Sequence, residues 1–180
     1  LIDLWSAVKG CPLAEALDQA RSWLGVERPT LHRPAKREYK RPAKPQCRKP
    51  QGRVRDYLTE DRNIPADIVD LYRIGEAGDD IVFPFLLPDG TLALVKRRAA
   101  EDGASPKPTA ADCEPVLFGW QTIPADAREV VITEGELDAP SWRAYGYPAM
   151  SVPFGGGGGA KQQWIENDFE RMERFERIYL

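Results

Sequence analysis

The sequence is poor in the residues that build histidine-centred and zinc sites. It has one histidine and three cysteines in 180 residues. His32 lies in a basic, proline-rich stretch, and the cysteines at 11, 47 and 113 are 36 and 66 residues apart, so no CxxC pair occurs. This spacing argues against a zinc site and a disulfide framework, and it favours a reducing, intracellular setting.

Long apolar runs are also missing. The longest nearly apolar run, residues 81–88, has eight residues, whereas a membrane-spanning helix needs about 20. The chain does not open with a charged segment followed by an apolar one, so a secretory signal is not predicted. We therefore expect no membrane partner.

Charge is unevenly divided along the chain. Residues 1–57 carry 13 basic and 6 acidic side chains, a net of +7, while residues 58–180 carry 12 and 22, a net of −10. Residues 28–55 contain 11 of the basic side chains, one acid and five prolines. A segment with so few aliphatic side chains to bury is predicted to be an extended or disordered linker. Its cations suit either a solvated tether or weak, non-specific nucleic-acid binding; the candidates are Arg33, Lys36, Arg37, Lys40 and Arg41.

Helix and strand patterns flank this linker. Two short helices are predicted in residues 1–25, a helix at 65–72, and strands at 81–87 and 91–97 around a turn at 88–90. Beyond residue 128 the pattern alternates: strand 129–133, helix 140–145, strand 149–153, glycine loop 155–159, helix 162–169 and strand 177–180. Such alternation predicts a parallel α/β sheet. The predicted domains are 1–26, 27–56, 57–127 and 128–180.

Three acids follow the buried strand at 129–133. Glu134, Glu136 and Asp138 lie where open α/β sheets place their active sites, at the carboxyl end of a strand. If the backbone stays extended, Glu134 and Glu136 point the same way, and a divalent cation would relieve their repulsion. Two alternatives stay open: Asp138 as the N-cap of the following helix, and Glu136 as a solvated loop acid.

Two further features suit phosphate. Gly155, Gly156 and Gly157 open a five-glycine run between a strand and a helix that carries Lys161, and bare N–H groups there can bind an anion. Lys96, Arg97 and Arg98 end the predicted hairpin, and at least one of them should be exposed. The alternatives are a flexible connection for the glycines and a solubilising strand end for the cations.

Several segments resemble a known family. Val-Val-Ile-Thr-Glu-Gly-Glu-Leu-Asp-Ala (130–139) with Ser-Val-Pro-Phe-Gly-Gly-Gly-Gly-Gly-Ala (151–160) resembles the TOPRIM domain of phage-type primase-helicases and their Twinkle-like relatives. The hairpin at 81–98 with Leu-Phe-Gly-Trp (117–120) resembles the basic subdomain before TOPRIM, and residues 1–26 resemble the helical tail of a primase zinc-binding domain. The resemblance implies a truncated TOPRIM sheet with flanking helices, preceded by a small α+β basic subdomain and a short helical segment.

The resemblance also implies a function. A DNA primase synthesises RNA primers: a ribonucleotide 3′-hydroxyl attacks the α-phosphate of the next nucleotide and releases pyrophosphate, with Mg²⁺ or Mn²⁺. By position, Glu134 matches the TOPRIM glutamate, as metal ligand or acid/base, and Glu136 and Asp138 match its accompanying acids. Lys96 and Arg97 match the cations that meet nucleotide phosphates.

The implied partners are single-stranded DNA template, ribonucleoside triphosphates, the RNA primer and a replicative helicase domain in the same polypeptide. The implied location is the cytoplasm of a bacterial or phage-infected cell, or the mitochondrion for a Twinkle-like protein.

We expect the chain to be a fragment. It lacks an initiator Met, and in the family a zinc domain precedes residue 1 and an Asp-x-Asp motif follows the strand at 177–180. We therefore expect zinc only in the preceding domain and impaired priming by the fragment. The alternatives are a non-catalytic nucleic-acid-binding or helicase-docking module and a TOPRIM nuclease.

Overall fold

The computed structural model describes residues 2–26 and 37–180. The chain divides into two compact units, Leu1–Glu38 and Tyr39–Leu180. The predicted linker at 27–56 extended past this boundary, whereas its residues from Tyr39 onward lie within the C-terminal unit. The predicted candidates Arg33 and Lys36 lie outside the described residues.

The N-terminal unit contains the two predicted short helices. They are α1 (Ile2–Lys9) and α2 (Leu13–Leu24), and Gly25 ends α2 in the left-handed conformation at φ 64°. Glycine suits this C-terminal position because it has no Cβ to clash there. Trp5 and Trp23 connect the two helices, with ring centroids 5.9 Å apart.

The C-terminal unit begins with an extended segment that packs against the rest of the unit. This strap, residues 39–51, forms isolated β-bridges from Lys40 to Cys113 and from Arg48 to Glu76. It leads into α3 (Gly52–Asp56), a π-helical turn (Tyr57–Asp61) and α4 (Ala66–Leu71). The extended conformation matches the prediction. The strap is not a free linker, however, because these bridges attach it to other segments of the same unit.

An antiparallel sheet follows, in the order β1-β2-β3-β4. Its strands are β1 (Gly75–Ala77), β2 (Asp80–Leu86), β3 (Leu92–Ala99) and β4 (Lys107–Pro108). The predicted hairpin is β2 and β3, and Gly90 supplies the positive φ of 84° in its turn. The prediction did not include β1 and β4.

The remaining strands form the predicted parallel sheet, in the order β6-β5-β7. They are β5 (Glu129–Thr133), β6 (Ala149–Ser151) and β7 (Arg177–Tyr179), with α5 (Asp138–Ala144) and α6 (Gln163–Met172) between them. Thr133 pairs with Ser151, so the carboxyl ends of β5 and β6 lie side by side. A 3-10 turn (Gly159–Gln162) precedes α6, and another lies at Trp120–Thr122.

One hydrophobic core joins the two sheets. Its buried side chains include Phe83 and Phe85 of β2 together with Val131 of β5 and Ala149 of β6. Phe118 bridges to Ser151 through two backbone hydrogen bonds. The domain boundary predicted at residues 127/128 therefore lies within continuous packing. Among the described residues, the helices are too short and too polar to cross a membrane.

Candidate functional site

Glu134 lies at the carboxyl edge of the parallel sheet, directly after β5. Its side chain is exposed. A Cβ built on Gly156 would lie 2.5 Å from its Oε1, so the carboxylate sits directly against the glycine loop. The end of β5 and the glycine loop meet because β5 and β6 are adjacent and parallel. The sequence predicted the parallel arrangement but not which strands are neighbours.

Glu136 departs from the prediction. The backbone does not stay extended after Thr133: residues 136 and 137 form a turn, and Asp138 N–H donates to the Gly135 carbonyl at 3.1 Å. The turn places Glu136 in the interior, 5% exposed, where its Oε1 accepts from Nζ of Lys96. Glu134 and Glu136 therefore do not point to the same side. Glu136 is buried, and it has a basic partner in Lys96.

Burial dominates the electrostatics of Glu136. Removal from water raises the pKa of its carboxyl, and the neighbouring Lys96 ammonium offsets part of that rise. Lys96 is 4% exposed and its Nζ also donates to the Pro153 carbonyl at 2.5 Å. Local sequence could not reveal this pair, because 40 residues separate its members.

Asp138 is exposed and begins α5. The N-cap position belongs to Leu137, and the cap has no side-chain hydrogen bond, so the N-cap alternative for Asp138 is wrong. A Cβ on Gly135 would lie 2.6 Å from Oδ2 of Asp138, so this carboxylate packs against the backbone between the other two acids. Its charge lies in the first turn, where a helix dipole favours an anion.

The glycine loop presents exposed backbone beside Glu134. Gly155, Gly157 and Gly159 have φ values of 66°, 141° and 67°, which other residues rarely adopt. Lys161 is exposed, and its Cδ would lie 3.3 Å from a Cβ on Gly157. The loop therefore brings an ammonium group and free space for an anion to the sheet edge, although α6 itself begins only at Gln163.

The three cations of β3 are less exposed than predicted. Lys96 is buried, and Arg97 and Arg98 are half-buried, so the expectation of at least one exposed cation is wrong. Arg98 Nη2 donates to the Tyr57 hydroxyl at 2.8 Å and to the Glu101 carbonyl at 2.5 Å. Nε of Arg97 is buried with no hydrogen-bond partner among the described residues.

A cavity of ≈ 410 Å³ opens near the carboxyl end of β6. Phe154 lines it together with Leu94 of β3 and the loop that includes Thr109 and Cys113. Phe154 is two residues before Gly156, the residue that contacts Glu134. This cavity could not be predicted from the sequence, because its walls come from three separated segments.

The overall architecture is that of known primases. A chain from the structure of bacteriophage T7 lagging-strand DNA polymerase interacting with primase domains is 22% identical over 66% of this chain, with a TM-score of 0.52. The primase fragment of the bacteriophage T7 primase-helicase is 22% identical over 66%, with a TM-score of 0.51. A DnaG primase catalytic domain bound to single-stranded DNA is 14% identical over 70%, with a TM-score of 0.53. The chain has the fold of a primase catalytic core.

This likeness confirms the predicted resemblance and fold class at the level of fold. The chain spans 61%, 50% and 54% of the lengths of these three primase-related chains. No protein-family model matches the sequence, and no curated protein matches it either.

Glu134 is the metal ligand that the sequence predicted, and its surroundings can be compared with that prediction. Among residues 2–26 and 37–180, no three Asp, Glu, His or Cys side chains lie close enough together to hold a metal ion. Mg²⁺, however, is commonly held by one or two carboxylates plus phosphate oxygens. Exposed Glu134 and Asp138 fit that requirement, whereas buried Glu136, already paired with Lys96, does not.

The basic candidates of the strap are engaged within the chain. Lys40 pairs with Asp112 at 3.1 Å, and Arg41 pairs with the largely buried Glu114 at 2.8 Å. Arg37 lies in the N-terminal unit and has interactions of its own. Nucleic-acid binding by these side chains remains a prediction, with Lys40 and Arg41 already neutralised by their acidic partners.

Proposed function

We propose that this chain belongs to a DNA primase, an enzyme that synthesises RNA primers on single-stranded DNA by metal-dependent nucleotidyl transfer. The observation that carries the proposal is the contact between Glu134 and Gly156 at the adjoining ends of β5 and β6. It combines an exposed carboxylate with an exposed glycine loop in a fold otherwise found in primase cores.

In this proposal Glu134, assisted by Asp138, holds Mg²⁺ or Mn²⁺. When bound, the metal supplies Lewis-acid stabilisation of the charge that develops on the α-phosphate. The backbone N–H groups of Gly155, Gly156 and Gly157, together with Lys161, bind the triphosphate, and Arg97 contributes positive potential from β3.

The proposed partners are single-stranded DNA template, ribonucleoside triphosphates and the RNA primer. The T7 neighbour has primase domains bound to an RNA/DNA hybrid and dTTP, and the DnaG neighbour is bound to single-stranded DNA. We extend this proposal to a helicase domain in the same polypeptide and to a bacterial or phage-infected cytoplasm, with mitochondria as the location of a Twinkle-like protein. Zinc would belong to a separate domain.

The decisive experiment is Glu134→Gln in the full-length natural protein. We expect primer synthesis from labelled ribonucleotides, on single-stranded template with Mg²⁺, to fall by about 10²-fold or more, because a preorganised electrostatic contact is lost. Template affinity should remain close to wild type, since Glu134 is an acid and not a DNA-phosphate ligand.

Glu129→Gln is the matched control. Glu129 lies at the opposite end of the same strand and pairs with exposed Arg177, so its loss should leave synthesis near wild type. If Glu134→Gln synthesises primers at the wild-type rate, the assignment of Glu134 to the active site is refuted. Template binding by a wild-type protein that makes no primer would instead support the non-catalytic nucleic-acid-binding module.

A further inference from the structure

Lys96 joins the antiparallel sheet to the carboxyl edge of the parallel sheet. It lies on β3, and its Nζ donates to Glu136 after β5 and to the Pro153 carbonyl after β6. Both charged side chains are 5% exposed. The ammonium is thus fixed at the point where the candidate site's two main segments, the acidic turn and the glycine loop, begin.

The surroundings restrict the ammonium further. The Phe85 and Phe154 ring centroids lie 5.9 and 5.8 Å from Nζ, and rings at this distance attract a cation. A lysine ammonium has three N–H donors. Two have acceptors among the described residues, which leaves one N–H donor of Lys96 without a protein acceptor.

From this geometry we infer that Glu136 is a positioning residue: it holds the Lys96 ammonium in place for a substrate phosphate and does not ligate metal. The inference rests on the proposed function, because it specifies how the same site would receive a nucleotide. Oε1 of Glu136 already accepts from Lys96 in the interior, so a metal ion at this buried carboxylate would compete with the ammonium for the same negative charge. Glu134, two residues away, carries no such partner among the described contacts.

A double-mutant cycle in the full-length natural protein tests this role. The variants are Glu136→Gln, Lys96→Met and the double variant, with Glu134→Gln as the metal-site comparison. Gln retains an acceptor for Lys96 but removes the charge, and the double variant removes both charges together. If Glu136→Gln misfolds because the buried Lys96 ammonium has lost its counter-charge, the double variant should still fold, since it contains neither charge.

Three quantities are measured: Mn²⁺ affinity by electron paramagnetic resonance, ribonucleoside triphosphate affinity by equilibrium titration, and kcat and KM for primer synthesis. We expect Glu136→Gln to lower triphosphate affinity and kcat/KM by about tenfold through a misplaced ammonium. In the Lys96→Met background, Glu136→Gln should change triphosphate affinity and kcat/KM by less than about twofold, because the ammonium that Glu136 positions is absent. Mn²⁺ affinity should stay near wild type in Glu136→Gln and fall in Glu134→Gln.

Glu76→Gln is the matched control. Glu76 is another buried carboxylate paired with a cation, Arg48, but it lies on β1. It should lower thermal stability without changing triphosphate affinity. If Glu136→Gln does the same, its role is structural and the inference is overturned; weakened Mn²⁺ binding or an undiminished effect in the Lys96→Met background would overturn it as well.

The two proposals fail differently. Absence of primer synthesis by the wild-type protein would refute the primase proposal, while triphosphate binding in the cycle would still decide the role of Glu136. A wild-type protein that binds no triphosphate would refute the positioning role.

Discussion

Gly156 shows how one residue without a side chain shapes the candidate site. Its φ is unexceptional, so its need for glycine comes from the Glu134 carboxylate that occupies the space of a Cβ. The sequence predicted Glu134 after one strand of a parallel sheet and the glycine run after the next strand along the chain. It could not predict which glycine is required for contact, because that depends on the spacing of β5 and β6.

Gly156→Ala should therefore displace Glu134 while leaving the fold intact. The built Cβ meets only the far end of a flexible side chain, so we expect a stability change below about 0.5 kcal/mol and a fall of about tenfold or more in primer synthesis. Gly158→Ala is the control, because Gly158 has φ −93° and open space around its Cβ position. Equal activity of the two variants would contradict this arrangement.

Glu76 carries a charge that the fold favours, and its effect on stability should depend on pH. The Gln51 N–H donates to its Oε2 at 2.6 Å and Arg48 Nη2 to its Oε1 at 2.7 Å, and these contacts lower the pKa of the Glu76 carboxyl below 4.5. A lowered folded-state pKa means that the native protein binds this proton more weakly than the unfolded chain does. The stabilisation is therefore present above about pH 4.5 and is lost as pH falls through the folded-state pKa.

We expect Glu76→Gln to lower the free energy of unfolding by about 1–3 kcal/mol at pH 7 and by less below pH 4. Urea denaturation of both proteins across this pH range measures the difference. A difference that stays constant with pH would contradict the ionised hydrogen-bond arrangement.

At the scale of elements, local sequence patterns located five of the seven described strands but not their pairing partners. Strands β2, β3, β5, β6 and β7 were predicted, since runs of apolar and β-branched residues signal strands directly. β1 (Gly-Glu-Ala) and β4 (Lys-Pro) contain no such run and are defined only by their neighbours in the sheet. The burial of Glu136 could not be predicted for the same reason: its partner, Lys96, lies on β3, 40 residues away in the chain.

Tyr72, just after α4, connects three elements. Its buried hydroxyl donates to the Ala149 carbonyl of β6 at 2.7 Å and lies 3.2 Å from the Ala139 carbonyl of α5. Burial raises the pKa of Tyr72 to about 12, so the hydroxyl remains a donor throughout the neutral range. The predicted helix at 65–72 includes Tyr72, but the sequence indicated no partner for the hydroxyl group of its side chain.

We expect Tyr72→Phe to lower the free energy of unfolding by about 1–3 kcal/mol, because the buried carbonyls lose their hydroxyl partner. Tyr145→Phe is the control: Tyr145 is 80% exposed, and its change should stay within about 0.5 kcal/mol. Chemical denaturation provides both values, and equal stability of the two variants would contradict a structural role for the Tyr72 hydroxyl.

At the scale of the whole molecule, the uneven charge has a structural consequence. Part of the basic stretch is the strap, whose Arg48, Lys49, Lys40 and Arg41 pair with acids of the C-terminal unit. Composition predicted an extended segment because it has few aliphatic side chains. It did not predict attachment, because the acidic partners lie 21 to 73 residues further along the chain.

Two truncations test whether the strap stabilises the C-terminal unit or serves only as a tether. Removal of residues 1–38 should leave the unfolding midpoint of the C-terminal unit within about 2 °C, because the unit boundary falls there. Removal of residues 1–51 deletes the strap as well and should lower the midpoint by about 5 °C or more. Circular dichroism during heating compares them, and equal midpoints would show that the strap is only a tether.

The sequence by itself determined the α/β class, the placement of Glu134 after a buried strand, and the glycine loop after the next strand. These follow from short-range patterns: β-branched runs, turn residues, and the rule that parallel strands end at one edge. Tertiary structure alone decided that Glu136 faces Lys96, that Gly156 contacts Glu134, and that the strap is held by acids. Burial and pairing between residues far apart in the chain set these outcomes, and neither is encoded in local periodicity.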